Sequence, residues 1–332
     1  MRKFVLALVM TGVLIFTVCG SGAEAAIKEG ATVFKLSFNQ TIENPQAKTM
    51  LILSDKLYDA TEGRYSIEVY PSEQLGPQKE SLELVQAGVI EMALIANSLI
   101  ENVVPSFAVI GCPYIYDSVD HQKRLFQSGA LSELYKSTES AGFNVLSAYS
   151  LGARNVYTKN GPITKPEDLA GLKIRVMQSD TMVQMINRMG GVGTPMGQGD
   201  VYSAIQAGVL DGAENNIITY TDLIQYEVAP YYSETNHLMI PDLLIINSNV
   251  LKKMSEEDQN TLHKLANESI ETFYAMATEL REQYRAKCVG LGVTFTTVDI
   301  APFQARMAPF IDEVSNRTEM TKSVAAIIKG MR

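Results

Sequence analysis

Cysteine and histidine are scarce in this sequence of 332 residues, with three of each and no closely spaced pair among them. Zinc-ribbon and Cys-x-x-Cys frameworks need these residues at short spacings, so both are excluded. Positive charge is also in short supply, because 28 Lys and Arg residues stand against 37 Asp and Glu residues, a formal net charge of −9. Such a chain repels phosphate backbones, and a nucleic-acid partner is not expected.

A long apolar run occurs only at the N-terminus. Residues 1–25 begin with Arg2 and Lys3, continue with an apolar stretch at residues 4–18 and end in the small-x-small sequence AEA. This order predicts a secretory signal cleaved after Ala25, and therefore a periplasmic protein. Lipoprotein anchoring through Cys19 is the alternative. No later stretch approaches the roughly 20 apolar residues of a membrane helix.

Removal of the predicted signal changes the charge balance and the cysteine content. It takes away Arg2, Lys3 and Glu24, which leaves 26 basic and 36 acidic residues and a net charge of −10. The remaining thiols, Cys112 and Cys288, are expected to be buried and unpaired, although an oxidising compartment also permits a disulfide. We expect a monomer with no metal and no cofactor.

Strand and helix patterns alternate along the first third of the chain. Period-2 alternation predicts strands at residues 33–38 and 65–70, and helical periodicity predicts helices at 46–61 and 78–87. A buried strand is predicted at residues 91–96. This alternation is typical of α/β units around a largely parallel sheet.

A short segment occurs twice. The sequence VQAGVIE at residues 85–91 returns as IQAGVLD at residues 205–211, with four identical and three conservative positions. Each copy ends a predicted helix with a glycine and precedes polar residues. Chance similarity is one interpretation. The other is two lobes of similar local construction that direct strand ends into a shared crevice.

The longest predicted helix covers about residues 255–289. Ser255 and Asp258 have the spacing of a capping box, and apolar residues then recur along one face. At 1.5 Å per residue, some 30 residues would span roughly 45 Å, which exceeds one small domain. We therefore expect this helix to run along two lobes.

Two arginines lie where charged residues are uncommon. Arg154 and Arg175 each fall within a short predicted strand, where a buried unpaired guanidinium is costly. A buried acidic partner or an exposed sheet edge would explain either one. The alternative is a carboxylate ligand, which the planar donor fork of arginine matches with two hydrogen bonds. His237 is a further possible site residue.

Several segments, taken in order, resemble a known family. The sequence TKPEDLAGLKIRV at residues 164–176 is similar to the signature of periplasmic solute-binding proteins of tripartite ATP-independent periplasmic (TRAP) transporters. Other segments agree with this signature: YP and QLG within residues 70–76, GCPYIY at 111–116 and AGVLDGAENN at 207–216. The resemblance covers essentially the whole mature chain.

The resemblance implies a two-lobed α/β periplasmic binding protein fold. Each lobe would be a mixed β-sheet flanked by helices, with the long helix spanning both. Lobe I would comprise residues 26–149 and 238–280, and lobe II residues 150–237 and 281–332.

The resemblance also implies the site. Arg175 matches the principal carboxylate-binding arginine, Arg154 a second arginine at the same carboxylate, and Asn215 the amide that completes this clamp. Residues expected at the rest of the ligand are Asn39, Gln40, Gln78, Glu80, Asn97 and Asn216, and Met177 is expected as an apolar wall.

The implied function is ligand binding without catalysis. The lobes would close on a small organic acid and deliver it to the small and large TRAP membrane subunits. The Glu-Asn-Asn sequence at residues 214–216 is similar to that of sugar-acid binders, which favours a uronate or aldonate. A C4-dicarboxylate is the alternative ligand, because Lys79 offers a second cation that could pair with its second carboxylate. The alternative from another class is a secreted carbohydrate-active enzyme that uses Glu80 and Glu214 as paired carboxylates.

Overall fold

We describe residues 30–332 in a computed structural model of the chain. The predicted signal at residues 1–25, including Cys19, lies outside the described residues. Within residues 30–332, none of the helices has the length and apolar character needed to cross a membrane.

The first of two mixed β-sheets has five strands. They are β1 (Thr32–Ser37), β2 (Tyr65–Tyr70), β3 (Met92–Ala96), β4 (Phe143–Tyr149) and, late in the chain, β10 (Asp242–Asn247). Their order is β2-β1-β3-β10-β4. Strand β1 is parallel to β2 and β3, whereas β10 is antiparallel to β3 and β4. The strands expected at residues 33–38, 65–70 and 91–96 are confirmed.

The second sheet has six strands. They are β5 (Arg154–Thr158), β6 (Lys173–Val176), β7 (Val192–Pro195), β8 (Gly212–Asn215), β9 (Tyr231–Leu238) and β11 (Thr294–Thr297). Their order is β11-β9-β5-β8-β6-β7. Strand β6 is parallel to β7 and β8, and β5 is antiparallel to β8 and β9. Arg154 and Arg175 do lie in strands, as predicted.

Helices surround both sheets. They are α1 (Pro45–Ala60), α2 (Gln78–Ala87), α3 (Asn97–Ile100), α4 (Val119–Gln127), α5 (Ser132–Lys136), α6 (Asp180–Met189), α7 (Val201–Gln206), α8 (Ile217–Asp222), α9 (Ser248–Lys253), α10 (Glu256–Gly290), α11 (Ala301–Ser315) and α12 (Glu319–Gly330). Short 3-10 helices occur at Pro105–Gly111, Glu139–Ala141, Pro166–Leu169 and Gln225–Glu227. The helices predicted at residues 46–61 and 78–87 are α1 and α2.

The long helix α10 contacts both halves of the molecule. Ser255 caps it, because its hydroxyl accepts the backbone N–H of Asp258. Its 35 residues span about 52 Å, and it packs against α1 and β4 on one side and α8 on the other. The prediction of one helix running along two lobes is confirmed.

The repeated segment builds the same local structure in both sheets. Glu91 in the first copy accepts the backbone N–H of Lys35 on β1 at 2.9 Å. Asp211 in the second copy accepts the backbone N–H of Lys173 on β6 at 2.8 Å. Each carboxylate thus ties the start of its own strand to the parallel neighbour. The two lobes therefore share local construction, as the sequence echo suggested.

The two thiols lie in separate apolar clusters. Cys112 belongs to the larger core cluster, and Cys288 to a smaller one with Tyr157, Tyr220 and Tyr232 beside the second sheet. Both are buried and free, as expected.

The C-terminal helix α12 contacts the 3-10 helix Pro105–Gly111, which precedes the first lobe's α4. The ring nitrogen Nε2 of His121 in α4 lies 2.8 Å from the backbone oxygen of Ile328 in α12. The division of the chain into residues 26–149 plus 238–280 and 150–237 plus 281–332 stays a prediction.

Candidate functional site

Arg175 is a buried cation without an acidic partner among residues 30–332. Its side chain is almost fully buried, and its hydrogen bonds go from Nε (2.9 Å) and Nη2 (2.7 Å) to the backbone oxygen of Met196 and from Nη1 (3.2 Å) to Oε1 of Gln198. These bonds use three of its five N–H groups. Burial lowers the pKa of Arg175 to about 10, so the guanidinium still carries its charge at neutral pH. Two donors and a positive charge are therefore free for an anion.

Arg154 does have a buried acidic partner. Nε lies 2.6 Å from Oε2 of Glu214, and Nη2 donates to Oε1 at 2.7 Å and to the backbone oxygen at 2.8 Å. Nη1 donates to Oδ1 of Asn215 at 2.7 Å. One N–H is left for a ligand. This arrangement is the acidic pairing that the sequence left open, so Arg154 mainly anchors the end of β8.

Glu214 is ionised at neutral pH. Burial opposes its charge, but the adjacent Arg154 guanidinium, helped by His237, holds the pKa of Glu214 at about 2. Nε2 of His237 lies 3.4 Å from the Glu214 carboxylate, and Nδ1 lies 2.9 Å from the hydroxyl of Thr235. His237 is fully buried in this network. Its position supports Glu214, and its contact with a ligand stays a prediction.

Asn215 and Asn216 differ in how many of their side-chain hydrogen-bonding groups are already used within the protein. Oδ1 of Asn215 accepts from Arg154 and from the backbone and side chain of Asn216, while no bond among the described residues uses its Nδ2. Asn216 caps α8, because its Oδ1 accepts the backbone N–H of Thr219 at 2.9 Å. Asn215 therefore has an unused donor, whereas the side chain of Asn216 is bonded locally, and contact of either residue with a ligand stays a prediction.

Two adjoining cavities lie between the sheets. The smaller, about 30 Å³, is bordered by Arg175 and by residues of both halves of the chain. Its other lining residues are Asn39, Glu73, Pro77, Gln78, Lys79, Leu99, Met177, Gln178, Met196, Gly197 and Gln198. The larger, about 210 Å³, is lined by Asn39, Ser72, Glu73, Gln198, Gly199, Tyr202, Leu223 and Gln225. The structure thus brings Arg175 together with the predicted Asn39, Gln78 and Met177.

Other predicted residues do not line these two cavities. Glu80 is exposed in the first turn of α2, and Asn97 is fully buried with its Nδ2 bonded to the backbone oxygen of Phe107 at 2.9 Å. Gln40 is buried, and neither its Oε1 nor Oδ1 of Asn97 has a hydrogen-bond partner in the described chain. Their contact with a ligand stays a prediction.

Sequence reasoning missed the polar residues that complete the cavities. Glu73 lies in the turn after β2, Gln198 lies in the loop after β7, and Gln225 begins the 3-10 helix Gln225–Glu227. Glu73 has a left-handed backbone, with φ of 59°, which is uncommon for a residue other than glycine. The turn sequence between Pro71 and Pro77 was visible, but nothing in it indicates which side chain enters the cleft.

The two halves also touch through a buried carboxylate. Glu101, which follows α3, accepts the hydroxyl proton of Ser179, the residue that caps α6. Nearby, Nδ2 of Asn102 donates to the backbone oxygen of Gln178 at 2.9 Å. Burial raises the pKa of Glu101 to about 7 from the usual 4.5, and bonds from Ser179 and Thr181 offset only part of that effect. This carboxyl therefore titrates near neutral pH.

Glu101→Gln is expected to stabilise the fold more at pH 8 than at pH 5. A carboxyl whose folded pKa is raised takes up a proton on folding, so its favourable contribution is complete below about pH 4.5 and is lost as the pH rises to 7. Glutamine removes that loss, which is about 3 kcal/mol at pH 8. Urea unfolding at both pH values measures it, with the exposed Glu83→Gln as control. A stability difference that does not change with pH would contradict the prediction.

Metal binding has no obvious site in the described part of the chain. Among residues 30–332, no three His, Cys, Asp or Glu side chains come together in a group that could hold a metal ion. The candidate site is the cleft, with the cationic Arg175 at the smaller cavity, amides at the larger one and the Glu73 carboxylate lining both.

Two mixed sheets, a long helix that contacts both halves of the chain and a buried arginine with two free donors are the features of a two-lobed solute-binding protein. Residues 37–318 match the model of bacterial extracellular solute-binding proteins, family 7. The chain belongs to this family. The family and the fold expected from the sequence are both confirmed.

Relatives align along nearly the whole chain. A solute-binding protein of Chromohalobacter salexigens is 32% identical over 329 residues, 98% of this chain and 96% of its own. A TRAP periplasmic solute-binding protein of Xanthobacter autotrophicus Py2, solved with β-D-galacturonate, is 32% identical with a TM-score of 0.87, covering 90% of this chain and 100% of that one. A TRAP periplasmic solute-binding protein of Anaerococcus prevotii, solved with D-glucuronate, is also 32% identical with a TM-score of 0.87. That match covers 90% of this chain and 98% of the other.

Proposed function

We propose that this protein binds a hexuronate, of the glucuronate or galacturonate type, between its lobes and delivers it to the membrane subunits of a TRAP transporter. Arg175 is the observation that carries the proposal, since its two free donors face a cavity and no carboxylate among residues 30–332 forms a hydrogen bond with it. A ligand carboxylate would accept hydrogen bonds from these two donors. The similar structures that contain uronates support this ligand class.

The remaining cavity suits hydroxyl groups. Gln198, Gln225, Asn39 and Tyr202 line it, and these amides and hydroxyls can donate to or accept from a sugar. Lobe closure on the ligand would create the surface that the membrane subunits recognise. Export to the periplasm through the predicted signal at residues 1–25 belongs to the same proposal.

Binding without chemistry fits the positions of the carboxylates better than catalysis does. Paired-carboxylate hydrolysis needs two carboxyl groups that face one bond. Glu214 is fully buried and bonded to Arg154, whereas Glu80 is exposed on α2. The enzyme alternative therefore has no geometric support from this pair.

Thermal unfolding with candidate acids tests the proposal. D-Glucuronate or D-galacturonate at about 100 times its dissociation constant should stabilise the protein by about 2.7 kcal/mol, and succinate should not. Chromatography of the same mixtures after incubation should recover the uronate unchanged. Stabilisation by succinate alone would favour the dicarboxylate alternative, and appearance of a product would favour an enzyme.

A further inference from the structure

Glu73 occupies a fixed position at the junction of the two cavities. Its backbone N–H donates to the backbone oxygen of Phe38 at 3.1 Å, and that of the preceding Ser72 donates to Gln40 at 2.8 Å. Both Ser72 and Glu73 have positive φ, of 53° and 59°. These bonds to the turn after β1 hold an otherwise unfavourable backbone in place. The fixed backbone therefore determines the direction in which the Glu73 side chain points.

The carboxylate of Glu73 reaches across the cleft. Its Oε2 would lie 3.1 Å from a Cβ built on Gly199, which places it against the backbone of the opposite lobe. Glu73 lines both cavities, as do Asn39 and Gln198. A ligand that spans the two cavities must therefore pass beside this carboxylate.

The charges of the two cavities are unequal. Arg175 and Lys79 line the smaller cavity together with Glu73, whereas Glu73 is the one charged residue among the eight described residues that line the larger. The other side chains there are amide, hydroxyl or apolar. Oε1 of Gln225, which is 2% exposed, and Nε2 of Gln198 have no hydrogen-bond partner among residues 30–332. The larger cavity therefore offers unused polar atoms and a negative charge.

We infer that Glu73 sets the ligand class by accepting hydroxyl protons and repelling a second carboxylate, so that the site takes monocarboxylate sugar acids and rejects the corresponding dicarboxylates. The inference rests on the proposed function, because Arg175 must hold the first carboxylate. The far end of a six-carbon acid then lies in the larger cavity. A hydroxyl there donates to Glu73, whereas a carboxylate would face a like charge that no cation in that cavity compensates.

Lys79 does not remove this repulsion. It is exposed, and it lines the smaller cavity beside Arg175 and not the larger one. Burial is the main reason that the pKa of Glu73 is raised, and the charge of Arg175 opposes this effect. Solvent screens the charge of the exposed Lys79, whereas Glu73 is half-buried where it would contact the ligand.

Calorimetric titration of wild type and Glu73→Gln with three acids tests the inference. The acids are D-glucuronate, D-gluconate and D-glucarate, of which the last two differ only in a terminal carboxylate. Wild type should bind glucarate at least 100-fold more weakly than glucuronate. Glu73→Gln should tighten glucarate about tenfold and weaken glucuronate about tenfold, because glutamine removes the repulsion and the charged acceptor together. Glu83→Gln, exposed on α2, should change neither.

Opposite shifts for the two ligands separate this role from general damage to the site. Equal shifts in one direction, no shift, or wild-type binding of glucarate as tight as that of gluconate would overturn the inference. Wild type that binds no uronate would overturn the proposed function instead. Circular dichroism and unfolding of Glu73→Gln confirm that the titrated variant is folded.

Discussion

Arg175→Lys is expected to weaken uronate binding by about 2–5 kcal/mol, which raises the dissociation constant at least about 30-fold. Lysine keeps the charge but has no planar fork, so it cannot bond Met196 and Gln198 while it presents two donors to a carboxylate. Titration calorimetry with the uronate that stabilises wild type measures the loss.

Arg124→Lys is the matched control for this prediction. Arg124 is exposed on α4 and donates to the backbone oxygen of Met331, remote in sequence from the residues that line the cleft. Its replacement should leave the affinity unchanged. Unaltered affinity in Arg175→Lys, with both variants folded, would show that the ligand carboxylate is bound elsewhere and would remove the main support for the proposed function.

Arg154→Met is expected to destabilise the fold by about 3–5 kcal/mol. Glu214 is fully buried, and methionine would leave its carboxylate without the guanidinium that now makes three hydrogen bonds to this residue. His237 alone, at 3.4 Å, cannot replace them. Urea unfolding followed by circular dichroism measures the change.

A second substitution separates the lost ion pair from lost packing. Arg154→Met combined with Glu214→Met removes both charges, and it should recover part of the stability because a buried pair can be replaced by apolar groups at little cost. Arg317→Met breaks an exposed pair with Glu313 and should cost no more than about 1 kcal/mol. A single Arg154→Met variant as stable as wild type would refute the structural role of this pair.

Local patterns in the sequence were sufficient for most of the fold. Alternation of polar and apolar residues defined β1 and β2, and the Ser255 cap with its apolar stripe defined α10. The repeated segment, with Glu91 and Asp211 at matching positions, indicated two similar lobes. These features depend on neighbouring residues, so they can be read from the chain.

Arg175 was also found from the sequence, because a charged residue inside a short apolar strand is unusual wherever the strand lies. The same reasoning applied equally to Arg154 and could not separate the two. Their difference depends on Glu214, which lies 60 residues from Arg154 in the chain and beside it across the β5–β8 pairing.

The sequence by itself determined the family, the alternating elements and the presence of a buried cation suited to a carboxylate. Only the tertiary structure decided which arginine is free, that Asn216 is used as a helix cap, and that Glu73 enters the cleft. The physical reason is that a polar group is available to a ligand only when no other part of the protein satisfies it. That depends on contacts between segments far apart in the chain, which local patterns do not contain.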